Sequence, residues 1–113
     1  MTNELSDFYP GTTKKFSLAV TVNGAAPDLR LDTVTFRLKR HRDDSDADAL
    51  ITVTADVATS GLFGIALFTL APADSTAVDP GAYFCDATWI TAGGDEYVIF
   101  DGQVTVLERV SDA

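Results

Sequence analysis

The chain is poor in the residues from which reactive sites are most often built. Its 113 residues include one cysteine, one histidine, one tryptophan and one methionine. A lone cysteine, Cys85, excludes an internal disulfide, a cysteine-based zinc site and a disulfide scaffold, so packing must hold the fold. The lone histidine, His41, lies between Arg40 and Arg42, and the sequence brings no serine or cysteine nucleophile toward it. A catalytic triad therefore does not emerge, and His41 reads as a solvated loop residue. Cations are scarce as well: 8 Lys and Arg stand against 17 Asp and Glu, for a formal net charge of -9. Such a surface repels phosphate backbones and anionic headgroups, which argues against nucleic acid and membrane partners. No apolar run reaches the roughly 20 residues of a membrane helix. Met1 to Asp7 is polar rather than signal-like, and the expectation is a soluble chain.

Apolar residues make up 46% of the chain and charged ones 22%, enough to bury a core and too little charge for wholesale disorder. Period two dominates from Lys14 to Val106, so strands are predicted almost throughout. Phe16, Leu18, Val20 and Val22 alternate with Lys15, Ser17, Ala19 and Thr21 in a first strand. Asn23-Gly24 accepts positive φ for a turn. Val34, Phe36 and Leu38 define a second strand, and Ile51, Val53 and Val57 a third. Ile65 to Leu70 is apolar on both faces apart from Thr69, which predicts a strand covered on both sides. Ala71 to Pro80 reads as a connection between sheets with one helical turn at Asp74 or Ser75. Tyr83, Cys85, Ala87 and Trp89 form the inward face of the strongest strand. Gly93-Gly94-Asp95 then turns the chain back through Tyr97 to Phe100, and Asp101-Gly102 permits a bend or bulge before Gln103 to Leu107.

These features predict an all-β fold, an immunoglobulin-like two-sheet antiparallel β-sandwich of about seven strands, without the disulfide of antibody domains. The length suits a single domain over 1–113, with a short N-terminal arm (1–12) and a C-terminal tail (108–113). No internal repeat or low-complexity tract divides it.

Few constellations invite chemistry. Asp44, Asp46 and Asp48 resemble the start of a calcium loop, but the glycine and the later bidentate Glu are missing, and a charged hairpin tip is the simpler account. Cys85 reads as a small buried hydrophobe, and Asp86 as a solvent-facing or edge carboxylate. Tyr9, Tyr83, Trp89 and Tyr97 could offer a platform for sugar rings, although core packing accounts better for this set. Two surface regions remain as candidate partner contacts. One is Phe8, Tyr9 and Pro10 ahead of the first strand. The other is the charged loop of Arg40, His41, Arg42, Asp43, Asp44 and Asp46. No cofactor, metal or catalytic residue is predicted.

The order of several segments resembles a family of small β-sandwich domains in bacteriophage virion proteins, including the N-terminal domain of upper baseplate proteins. The matching segments are Pro10-Gly11-Thr12 before Phe16-Leu18-Val20, then Asp32-Thr33-Val34-Thr35-Phe36 and Asp74-Ser75-Thr76. Pro80-Gly81-Ala82-Tyr83-Phe84-Cys85-Asp86 and Gly102-Gln103-Val104-Thr105-Val106 follow. The resemblance implies a non-enzymatic virion structural protein of the tail, neck, baseplate or head surface, made in the bacterial host cytoplasm. It also implies binding to other virion proteins through sheet edges and loops, as a homo-oligomer or in multiple copies of a symmetric assembly. A carbohydrate-binding β-sandwich module is the alternative.

Overall fold

The alternation that begins at Lys14 forms strand β1 (Lys14–Ala19) in a computed structural model that describes residues 9, 11–41, 43–76 and 78–107. Five further strands follow: β2 (Thr33–Lys39), β3 (Ile51–Thr54), β4 (Ile65–Leu70), β5 (Gly81–Ile90) and β6 (Glu96–Val106). A single helical turn, α1 (Pro72–Ser75), separates β4 from β5. β1 and β4 pair antiparallel from Lys14 opposite Leu70 to Ala19 opposite Ile65. The other four strands form a second antiparallel sheet in the order β3-β2-β5-β6. The protein is thus mostly β and built from two antiparallel sheets. Among the described residues no helix is long and apolar enough to cross a membrane.

The core is the space between these sheets. Val34, Phe36 and Leu38 of β2 stand in register with Trp89, Ala87 and Cys85 of β5, and all six are buried. From the small sheet come Leu18, Ala66, Phe68 and Leu70. Three rings lock the layers together. Phe16 stacks on Phe68 with centroids 4.9 Å apart, and Phe36 meets Phe16 edge-on at 5.2 Å. Burying each large side chain stabilises the fold by about 2–3 kcal/mol, and such ring pairs add about 1 kcal/mol.

The chain steps between sheets within two residues. The Ala55 N–H donates to the Val34 carbonyl at 2.8 Å, continuing the β2–β3 ladder. The next residue, Asp56, exchanges backbone hydrogen bonds with Leu67 of β4, at 2.7 and 3.1 Å.

Several expectations change. The two last expected strands run together as β6, giving six strands among the described residues. Asp101 and Gly102 do not break it, since they stand in ladder opposite Asp86 and Cys85. The irregularity lies two residues earlier, where Ala87 faces Phe100 but Thr88 faces Val98, so that Ile99 bulges. β4 is covered on one side only. Ala66, Phe68 and Leu70 are buried while Leu67 is 38% exposed, because no third layer lies beyond the two-stranded sheet among the described residues. β1 ends at Ala19, and Val22, expected inward, is exposed. The N-terminal arm is described only at Tyr9, Gly11 and Thr12, and 108–113 lie outside the described residues.

Candidate functional site

Between the end of β1 and the start of β6 the sandwich is open. The cause lies in the local sequence on both sides. After Ala19 the chain leaves β4, and the Val20 N–H donates to the Gly64 carbonyl at 2.8 Å. Gly64 has φ 74°, and a Cβ there would lie 2.8 Å from the Val20 carbonyl oxygen, so this approach requires glycine. Asn23 (φ 52°) and Gly24 (φ 81°) then make a tight turn that pairs Val22 with Ala25.

On the opposite wall, the β5–β6 hairpin turns through Thr91 to Asp95. The Thr91 N–H donates to the Asp95 carbonyl, and Gly94, at φ 94°, supplies the positive angle. The bulge at Ile99 resets the alternation, so that Tyr97 lies on the same face as Trp89 while Phe100 faces Ala87. Asp32, just before β2, ties this end together. One carboxylate oxygen accepts the Trp89 indole N–H at 2.8 Å and the other accepts the Ala92 backbone N–H at 2.9 Å. Trp89 is held with its ring 5.3 Å from that of Tyr97.

The result is a groove of about 480 Å³ whose lining includes Val20, Val22, Trp89, Thr91, Tyr97 and Val98. No charged side chain lines it, and the acidic Asp95 and Glu96 stand exposed beside Tyr97. Tyr97 is 50% exposed and Val98 65%, although both belong to a strand.

The sequence-predicted contact regions lie elsewhere. Tyr9 is half exposed and its carbonyl accepts the Thr12 hydroxyl at 2.6 Å. The Gly11 N–H donates to the buried Ser75 hydroxyl in the connection leading into β5. Phe8, Pro10 and Arg42 lie outside the described residues. Arg40 is exposed and stands 5.8 Å from the ring centre of Tyr83, near the start of β5. The groove, by contrast, adjoins Trp89 near the end of β5, about 20 Å further along the strand.

The loop carboxylates hold their own turns. Asp44 accepts the His41 backbone N–H at 3.0 Å, and Asp48 accepts the Ser45 hydroxyl at 3.0 Å. Asp43 is exposed, and Asp46 opens a 3-10 turn, Asp46–Asp48, its side chain being outside what the structure describes. His41 is exposed.

Cys85 is 3% exposed, and burial, with the nearby Asp86 and Asp101 charges, pushes its thiol up to about 12, away from thiolate chemistry. Asp86 is neither at an edge nor fully solvated. It is half-buried on the middle strand β5, in register with Arg37 on one side and Asp101 on the other. Of the four aromatics read together, Tyr83 and Trp89 are in the core, whereas Tyr9 and Tyr97 are half exposed.

Sequence reading missed the groove. The available signal was Tyr97-Val98-Ile99-Phe100: four consecutive apolar residues in a strand with one covered face must place some of them outside it. The chain matches no family model and no curated protein.

Proposed function

We propose that this chain is a non-enzymatic structural protein of a bacteriophage virion, an immunoglobulin-like sandwich that binds neighbouring virion proteins through its sheet edges and loops. The observation that carries the binding role is the exposed apolar stretch on an edge strand, Tyr97 and Val98 beside the groove. A strand edge with unpaired backbone groups and exposed apolar side chains is a ready template for pairing with another chain. The virion setting follows from the resemblance of segment order between Pro10 and Val106. On this reading the protein is made in the host cytoplasm and assembled in multiple copies.

The test is direct. Antibody against the chain labels purified virions, and the chain sediments with them after detergent and high-salt washes. Absence of label from every virion preparation overturns the setting.

A carbohydrate-binding module is the second reading, favoured by the Trp89–Tyr97 pair at the groove. Trp89 is only 9% exposed, so Tyr97 carries the stacking surface. Glycan binding that disappears in Tyr97→Ala, with the fold retained, supports this reading over the first.

A further inference from the structure

The two edges of the four-stranded sheet are unlike. β3 has four residues, Ile51–Thr54, and short edges invite little pairing. β6 has 11 residues, and its first part, Glu96 to Phe100, contains neither Lys nor Pro to discourage a neighbour. Glu96 and the bulge at Ile99 are the blunting features there, and with the bulge Tyr97 faces the same side as Trp89, toward the groove.

We infer that the outer edge of β6 accepts an added strand from a partner protein, an extended segment with apolar side chains at its centre and Lys or Arg at both ends. This deepens the binding role proposed above and rests on it. The central chemistry follows from the groove, whose lining is uncharged and includes Val22, Trp89, Tyr97 and Val98. Backbone pairing to β6 supplies affinity, and alternate side chains entering the groove supply selectivity.

The flanking chemistry follows from charge. Asp95 and Glu96 precede the apolar stretch and Asp101 follows it, on a chain of net charge -9. A second copy is a poor occupant. Antiparallel pairing of two β6 strands that keeps residues 97–100 opposite one another sets Glu96 against Asp101 at both ends. Like charges opposite each other destabilise a strand pair, and the whole-molecule charges repel. A segment with cationic ends removes both penalties in either orientation.

A surface-displayed library of random nonapeptides, selected against the full chain, tests this. Enriched peptides carry an apolar centre with Lys or Arg at both ends and change Trp89 fluorescence on binding. Their affinity falls at least tenfold in Val98→Lys, a substitution at a 65% exposed position that leaves the melting temperature nearly unchanged. In the double variant Asp95→Lys/Glu96→Lys, selection no longer enriches a cation at the end that faces these positions. The proposal is overturned if no peptide is enriched, if enriched peptides lack cationic ends, or if they bind Val98→Lys equally well. It is also overturned if the chain is a dimer that Val98→Lys dissociates, since a second copy then occupies the edge. Labelled virions with a failed selection remove the strand-addition proposal and leave the virion role. Successful selection without virion labelling does the reverse.

Discussion

The two halves of β6 pair with the same strand, yet they differ in everything that depends on the opposite sheet. From Gln103 to Val106 the alternation is regular, with Val104 2% and Val106 1% exposed and Gln103 and Thr105 facing out. From Glu96 to Phe100 the strand carries four consecutive apolar residues and a bulge, and it leaves Val98 65% exposed. The composition of the first half is the more apolar, so hydrophobicity alone does not determine burial. What determines it is cover. The small sheet has two strands, and its β1 ends at Ala19, where the groove begins.

Removing the cover is the strongest way to break this contrast. Phe68→Ala deletes the ring that stacks on Phe16 and meets Phe36, and should cost about 4 kcal/mol in urea unfolding. A loss under about 1 kcal/mol would mean that the small sheet does little to hold the core. The same substitution in each half sharpens the comparison. Val104→Ala should cost about 2.5 kcal/mol, whereas Val98→Ala should fall within about 0.5 kcal/mol of the parent. Equal costs would refute the division of the strand into covered and open halves.

Asp32→Ala should cost about 1.5 kcal/mol, since it leaves the Trp89 indole N–H without its acceptor, and should shift Trp89 emission. Asp32→Asn, which retains one acceptor oxygen, should recover part of this loss.

Two pH effects are smaller. Burial, reinforced by the charges of Asp86 and Asp101, raises the Cys85 thiol from 9.0 to about 12. Once the pH passes 9.0 the unfolded thiol loses its proton while the folded one keeps it, so stability falls with rising pH between 9.0 and about 12. Cys85→Ala should flatten that part of the curve, and thiol reagents should reach the parent only after unfolding. On the exposed surface ahead of β2, hydrogen bonding from Arg30 holds Asp28 at about 2 against an ordinary 3.8. A lowered carboxylate contributes above 3.8, and its contribution disappears as pH falls toward 2. Solvent and salt screen this pair, so Arg30→Ala should restore the ordinary Asp28 titration by NMR with no measurable change in melting temperature.

Period-two patterning made most strands legible, because the apolar core lies on one face of β1, β2 and β5 and apolar residues alternate to reach it. Turn chemistry at Asn23-Gly24 was equally readable, since few residues accept those angles. Joining β6 across Asp101-Gly102 was not readable, because a glycine that fits a bend also fits a ladder position opposite Cys85. The open side of β4 and the groove were hidden for a shared reason: both depend on how many strands lie opposite, which is a property of topology. The charged loop drew notice through its composition, yet two of its carboxylates, Asp44 and Asp48, are engaged in local hydrogen bonds.

The step at Ala55 and Asp56 bears on how the molecule opens. Adjacent amides report on different layers, Ala55 through its bond to Val34 and Asp56 through its bond to Leu67. If the small sheet detaches as a separate foldon, the Asp56 amide exchanges its proton for deuterium well before that of Ala55. Matching exchange rates would mean that the chain crossing couples the layers into one cooperative unit.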